Sequence, residues 1–157
     1  MTEIDFRDTA ALDGLVSETF GEWSNTVLVD QDMINRYAEL SGDSMWLHVD
    51  VERCARESPF GSTIAHGFLI LSLITRMTGG PKSPVSRITG FSHMMNYGSD
   101  KLRFLAAVPV NSEIHSRNRI KEIAVAEKKT RVVMETHVHV VGSDSPALIY
   151  ELIFVFL

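Results

Sequence analysis

The sequence predicts an α+β fold in which one buried helix packs against an antiparallel sheet. Residues 67–77 would be apolar on nearly every side of a helix, which indicates that this helix is buried. The chain then continues into consecutive β-like segments at 97–107, 110–122, 130–141 and 147–157. Strands that follow one another favour antiparallel pairing, so we expect the sheet to wrap around the helix.

Two of these strands have a clear apolar pattern. In the third strand, alternation places five residues on one face: Val132, Met134, Thr136, Val138 and Val140. The fourth strand is nearly all apolar, which predicts a central position in the sheet. Between helix and strands, Gly79, Gly80 and Pro81 should end the helix, and residues 81–96 should form a loop.

The first part of the chain predicts shorter elements. Residues 5–16 suit a short helix, and the β-branched segment 24–29 suits a strand. Asp30 is placed to cap a helix in which apolar residues recur at helical spacing up to Leu40. Asp50 is placed to cap another short helix, which runs through Arg56.

Length and composition limit the class of protein. The chain has 157 residues, of which 45% are apolar, and this suits a single domain over residues 1–157. No apolar run approaches the ~20 residues that cross a membrane, and the net charge of −5 argues against nonspecific nucleic-acid binding. Because the acidic N-terminus lacks the pattern of a signal peptide, we expect a cytoplasmic protein without a membrane or nucleic-acid partner.

The single cysteine, Cys54, excludes an intrachain disulfide and a multi-cysteine metal site. It could be a nucleophile, but no His or Asp pattern around it indicates an activated thiolate. We therefore expect Cys54 to be a small apolar residue on a helix.

A carboxylate and an imidazole follow closely after the helix that begins near Asp30. Asp43 and His48 are five residues apart in a polar segment that opens with Gly42, and such loops often present catalytic groups. Together the two side chains could hold one water molecule, remove its proton and return a proton elsewhere. The structural alternative is that Asp43 caps a helix end and His48 lies in a polar turn.

A second segment combines a histidine with the start of the buried helix. Gly67 opens the helix, whose first N–H groups are unpaired donors that can hold an oxyanion. The alternative is that Gly67 only permits close packing of helix against sheet. His66 could be a catalytic base, although a structural hydrogen-bonding role is favoured for a histidine that enters a buried helix.

Taken in order, these motifs resemble the MaoC-like family of hydratases and dehydratases. The matching segments are Gly42-Asp43 with Leu47-His48, Ile64-Ala65-His66-Gly67, Asn96-Tyr97-Gly98, Lys101-Leu102-Arg103-Phe104 and Val108-Pro109-Val110. Many members have Asn-Pro where this chain has Met45-Trp46, and the tryptophan is typical of a branch that resembles nodulation protein N. The resemblance extends over roughly residues 20–157 and implies a hotdog fold, in which an antiparallel sheet wraps a long helix.

The resemblance also implies a reaction. It predicts (R)-specific hydration of trans-2-enoyl-CoA thioesters, or the reverse dehydration, with Asp43 and His48 as the catalytic pair. The Gly67 N–H would bind the thioester carbonyl. No cofactor is expected, since CoA is part of the acyl-CoA substrate, and no metal is expected. Hotdog domains of this kind pair edge to edge, so we expect a homodimer.

The resemblance suggests further contacts with the substrate. Some members have a serine eight residues after the glycine, where this chain has Thr75, which keeps a hydroxyl. The remaining candidate substrate contacts are Ser62, Asn96, Tyr97, Lys101 and Arg103. Two other functions are left open, namely a hotdog thioesterase and a noncatalytic acyl-CoA-binding or partner subunit.

Other ionisable residues alternate along predicted strands. One face of the second strand holds four basic residues, namely His115, Arg117, Arg119 and Lys121. They could contact CoA phosphates, but we favour a solvated face on which they pair with neighbours such as Glu135. His137 and His139 share a face of the third strand, but two histidines without a nearby cysteine or acidic cluster are poor support for a metal site.

Overall fold

A five-stranded antiparallel sheet forms most of the structure, a computed structural model that describes residues 3–78 and 83–157. The strand order is β2-β5-β6-β7-β4. The bounds of these strands are β2 Val27–Val29, β4 Met94–Phe104, β5 Ser112–Ala126, β6 Lys129–Val140 and β7 Leu148–Phe156. Two short strands, β1 (Ile4–Asp5) and β3 (Ile88–Thr89), pair in parallel outside this sheet. The predicted antiparallel architecture is confirmed.

The helices lie mainly before the long strands. They are α1 Thr9–Asp13, α2 Gln31–Ser41, α3 Trp46–Val49, α4 Val51–Glu57 and α5 Gly67–Thr78, with a 3₁₀ turn at Pro84–Arg87. The Asp30 and Asp50 carboxylates accept hydrogen bonds from the third residue after each of them, so both predicted N-caps are confirmed. Among the described residues, no helix is both long and apolar enough to cross a bilayer.

Helix α5 packs on one face of the sheet and builds the main core. Its buried side chains contact the inner face of β5, β6 and β7. The alternating face predicted for β6 is this inner face, and its residues from Val132 to Val138 are buried. The helix is not buried all round, however, because the Phe68 side chain is 59% exposed.

Several predicted boundaries differ from the observed ones. The helix expected at 5–16 is reduced to α1, since β1 takes up residues at its start. Helix α3 forms where a loop was expected, and β4 begins within the predicted loop 81–96. The fourth predicted strand, β7, was expected to be central; it lies inside the sheet, but the central strand is β6. The predicted helix end at Gly79, Gly80 and Pro81 lies outside the described residues.

The outer face of the sheet bears the alternating basic residues. His115, Arg117 and Arg119 are partly covered, whereas Lys121 is exposed and pairs with Glu151 at 2.8 Å. Trp23 stacks on His115 with ring centroids 3.9 Å apart, and the Arg117 guanidinium lies 4.7 Å from the Trp23 ring. Arg119 forms an ion pair with Glu135 at 2.7 Å. The expected pairing is therefore present, but a strap of residues 17–24 along β5 shields this face.

The strand β4 forms one edge of the sheet. It pairs with β7 on one side, and no described strand pairs with its other side. Almost every residue of β4 is exposed, including Met94, Met95 and Tyr97. An edge with unpaired backbone groups and exposed apolar side chains can be covered by another strand.

Candidate active site

The loop after α2 presents Asp43 to solvent. Gly42 ends the helix with φ of 79°, a left-handed conformation that glycine adopts without steric cost. The chain therefore turns sharply, and the exposed Asp43 side chain follows. Within the loop, the Asp43 N–H donates to Ser41 Oγ at 3.2 Å and the Met45 N–H donates to the Asp43 carboxylate at 3.4 Å.

The His48 ring is held in one tautomer by a backbone carbonyl. Its Nδ1 lies 2.7 Å from the Ile64 oxygen. Because a carbonyl oxygen only accepts, Nδ1 must carry the proton and donate it, which leaves Nε2 with a free lone pair. A neutral histidine in this state can accept a proton at Nε2.

The His66 ring contacts both Asp43 and His48 and is only 3% exposed. Its Nε2 donates to the Asp43 backbone oxygen at 2.8 Å, and its ring stacks on that of His48 with centroids 3.8 Å apart. One carboxylate oxygen of Asp43 and one ring nitrogen from each histidine all lie within 4.8 Å of one another. Burial lowers the pKa of His66, and the neighbouring His48 lowers it further, which favours the neutral ring.

These three side chains could be considered as metal ligands, but their orientation does not suit a shared ion. The two rings stack at an interplanar angle of 26°, so their lone pairs lie in nearly parallel planes instead of converging. Each ring also uses one nitrogen on a backbone carbonyl.

Gln31, which the sequence did not indicate, connects the segment that bears His48 to the core. Its amide nitrogen donates to the His48 backbone oxygen at 2.8 Å, and its amide oxygen accepts from the buried Thr63 hydroxyl at 2.5 Å. Ile64 adds a backbone link, since its N–H donates to the Leu47 oxygen at 3.0 Å. At the start of α2, Gln31 has the sequence appearance of any exposed helical residue, so no local signal indicates this role.

A pocket of about 330 Å³ opens beside His48. Gly67 lines it at the first position of α5, where N–H groups have no partner within the helix. A Cβ on Gly67 would lie 2.8 Å from the Phe104 ring, so the close approach of Phe104 requires a glycine here. The rest of the lining is mostly apolar: Ile64, Ala65, Ile70, Leu105, Ala106, Ala107, Val108, Ala147 and Leu148. An apolar pocket with few polar groups suits a small acyl chain.

A second pocket, of about 740 Å³, lies near the C-terminal end of α5. It is lined by the strap, by Arg76 and Met77 of α5, and by polar residues of β5. Ser116 belongs to this lining, and its hydroxyl has no hydrogen-bond partner within the described part of the chain. Arg119, one of the four basic residues considered for CoA phosphates, lines this pocket, whereas the predicted catalytic and substrate-contact residues do not.

The remaining predicted substrate contacts do not line the pocket beside His48. Ser62 is half-buried, and its hydroxyl donates to the Thr63 backbone oxygen at 3.1 Å. Thr75 is exposed on α5 and donates to the Ser72 oxygen at 3.1 Å. The other four are exposed on the edge strand β4: Asn96, Tyr97, Lys101 and Arg103. The single chain thus places Asp43 beside His48, places His48 and Gly67 in the lining of one pocket, and leaves these six residues outside that lining.

Cys54 is buried in α4, and its Sγ lies 3.5 Å from the Trp46 backbone oxygen. Burial raises the pKa of the thiol, which disfavours the thiolate. These observations fit the structural interpretation of this cysteine.

Curated relatives are similar to the chain over nearly its whole length. It is 35% identical to 3-hydroxyacyl-thioester dehydratase Z of Mycobacterium tuberculosis over 147 residues, which are 93% of each protein. It is 34% identical to nodulation protein N of Rhizobium meliloti over 153 residues, covering 94% of this chain and 88% of the relative.

Solved structures share the fold at lower identity. A MaoC-like dehydratase from Rhodospirillum rubrum superimposes with a TM-score of 0.70 at 18% identity, covering 93% of this chain and 95% of the other. The (R)-hydratase from A. caviae superimposes with a TM-score of 0.66 at 24% identity, covering 88% and 96%. The predicted hotdog fold is confirmed by these similarities. The family profile described as MaoC like domain matches residues 17–142. The chain therefore belongs to the MaoC-like family, as its motifs predict.

Proposed function

We propose that the protein catalyses the hydration of trans-2-enoyl-CoA thioesters to (R)-3-hydroxyacyl-CoA, or the reverse dehydration. The observation on which this mainly rests is the proximity of the Asp43 carboxylate and the His48 ring, beside an apolar pocket that Gly67 also lines. The names of similar proteins support this class of reaction. A curated relative is a 3-hydroxyacyl-thioester dehydratase, and a solved structure of the same fold is an (R)-hydratase.

In the hydration direction, one water molecule would bind between Asp43 and His48. The Asp43 carboxylate accepts one hydrogen of the water, and the free Nε2 of His48 removes the other proton as the oxygen attacks C3. The protonated His48 then delivers that proton to C2. The net change is addition of OH to C3 and H to C2, so the pair returns to its starting state. We assign the base role to His48 because the Ile64 carbonyl holds its other nitrogen protonated.

The thioester carbonyl would face the start of α5. As water attacks C3, negative charge develops on the carbonyl oxygen, and the Gly67 N–H can donate to it. The partial positive charge at the N-terminus of α5 adds to this stabilisation. The same glycine permits the Phe104 ring to approach closely and form the pocket wall.

We also propose that the active protein is a homodimer paired through β4. The outer side of this strand is unpaired among the described residues and bears exposed apolar side chains. A second copy would cover it, and would bring the exposed Asn96, Tyr97, Lys101 and Arg103 against another chain. Sedimentation at micromolar concentration should give twice the monomer mass, and a monomeric mass would contradict this proposal.

Incubation with crotonyl-CoA tests the proposed reaction. Hydration removes the enoyl absorbance without releasing thiol, and chiral analysis of the product should give the (R) isomer. Release of free thiol would instead indicate a thioesterase. Binding without either change would indicate a noncatalytic acyl-CoA-binding subunit, and both results would overturn the proposal.

A further inference from the structure

Four hydrogen bonds connect Leu47 and His48 to Thr63 and Ile64, directly or through the Gln31 side chain. Gln31 joins Thr63 to the His48 backbone, and Ile64 bonds with both Leu47 and the His48 ring. These contacts hold His48. Asp43 is held by a different contact, the hydrogen bond from His66 Nε2 to its backbone oxygen at 2.8 Å.

The loop that bears Asp43 has little else to fix it. Its side-chain hydrogen bonds involve Met45 within the loop and Ser41 at the end of α2, whose hydroxyl also donates to the Tyr37 oxygen at 2.7 Å. These bonds tie the start of the loop to α2 and do not link it to residues 63–66. The loop residues from Gly42 to Met45 are exposed. The position of the Asp43 carboxylate relative to His48 therefore depends on the buried His66 ring.

The protonation state of His66 is determined by its partners. Since the Asp43 carbonyl accepts, Nε2 carries the proton and Nδ1 has the lone pair. Nδ1 is buried and has no hydrogen-bond partner in the part of the chain that the structure describes. A second proton there would find no acceptor and would place a positive charge against the stacked His48 ring. A sealed, neutral imidazole is suited to holding a carbonyl and unsuited to exchanging protons with a substrate.

We infer that His66 is a positioning residue, which donates from Nε2 to the Asp43 carbonyl and thereby sets the distance between the Asp43 carboxylate and the His48 ring. The inference rests on the proposed function, because it assigns His66 a role toward that catalytic pair. His66 does not touch the reacting atoms.

Glutamine and asparagine provide a matched test of this role. The amide nitrogen of glutamine can occupy about the place of histidine Nε2, whereas that of asparagine lies near Nδ1. His66→Gln should therefore keep the bond to Asp43, and His66→Asn should lose it. We expect kcat for crotonyl-CoA hydration to fall by about 100-fold in His66→Asn, as a misplaced group can cause. His66→Gln should remain within about 10-fold of the wild type. KM should change little in both.

Three readouts separate positioning from other roles. Both variants lose the stacked ring, so melting temperatures should fall by similar amounts, and a purely structural role would then lower kcat equally in both. The pH profile of kcat/KM should keep its shape, whereas loss of its acidic limb in both variants would make His66 the titrating base. Equal impairment of the two variants, or loss of that limb, overturns the inference.

Crystal structures of the two variants provide a test that does not need activity. The Asp43 carboxylate should keep its place beside His48 in His66→Gln and move by about 1 Å or more in His66→Asn, the size of misplacement that affects catalysis. An unmoved carboxylate in His66→Asn overturns the positioning role. Failure of the wild type to hydrate crotonyl-CoA would contradict the proposed function instead, so the two failures are distinguishable.

Discussion

The His48 ring donates from Nδ1 to the backbone oxygen of Ile64 at 2.7 Å, and this bond leaves Nε2 as the nitrogen that can accept a proton. Ile64 is in the segment just before α5, so the same stretch of chain that orients His48 also leads to the Gly67 N–H. The proposed base and the proposed carbonyl donor are thus positioned by one short piece of backbone.

The proposed catalytic pair is tested by Asp43→Asn and His48→Gln. Both changes keep approximate shape but remove proton-transfer capacity near neutral pH, so each should lower kcat by about 10²–10⁴-fold. If the two residues act on one water molecule, the double variant should be little worse than either single one. Steady-state kinetics on crotonyl-CoA, with melting curves for all three variants, measure this. Substantial hydration in both folded single variants would refute the assignment.

The carbonyl donor is tested by comparing Gly67→Pro with Gly67→Ala. Both add a Cβ that meets the Phe104 ring, but only proline removes the N–H. Proline is tolerated at the first position of a helix, so α5 should still form. Turnover in Gly67→Pro should be about 100-fold below that in Gly67→Ala, as expected for one lost oxyanion donor. Similar turnover in the two folded variants would remove the Gly67 N–H from the mechanism.

The link through Gln31 should stabilise the fold as well as the site. Gln31→Leu leaves the buried Thr63 hydroxyl without its acceptor, which should cost about 1–3 kcal/mol in the free energy of unfolding. Gln31→Glu is the matched control, because it keeps an acceptor for Thr63 but loses the amide donor to His48. Chemical denaturation should place Gln31→Leu below Gln31→Glu in stability. Because both variants lose the donor to His48, the reverse order would contradict the stabilising role of the bond to Thr63.

The covered outer face should make stability depend on pH. Burial lowers the pKa of His115, with smaller contributions from His139 and Arg117, and burial also lowers that of His137 despite its bond with Glu135. When folding lowers the pKa of a histidine, its contribution to the free energy of unfolding is fully present above the unfolded pKa of about 6.5. That contribution is lost as the pH falls through the folded pKa. The melting temperature should therefore drop as the pH is lowered from 7.5 to 5.

A double variant isolates this effect. His115→Gln with His137→Gln removes both titrating groups, so its melting temperature should fall less on acidification than that of the wild type. An equal fall in both proteins would assign the acid sensitivity to other groups, such as the carboxylates of the ion pairs.

The sequence alone determined the class of the fold and identified the candidate residues of the site. The apolar helix and the long alternating strands specify which faces must be buried, since hydrophobic periodicity follows directly from the geometry of helices and strands. The N-caps at Asp30 and Asp50 are equally local, because each depends on a side chain and a backbone N–H three residues later. The residues Asp43, His48 and Gly67 could likewise be identified from short motifs that follow one another along the chain.

Only the tertiary structure decided how these residues meet. His66 stacks on His48 and donates a hydrogen bond to Asp43, which is 23 residues earlier in the chain. Gln31 binds both His48, 17 residues later, and Thr63, 32 residues later. Contacts of this kind depend on how helices and strands pack, which leaves no pattern in the local sequence. The same reason explains why the basic face of β5 was expected to be solvated: its cover, Phe20 and Trp23, comes from a strap about 90 residues earlier in the chain.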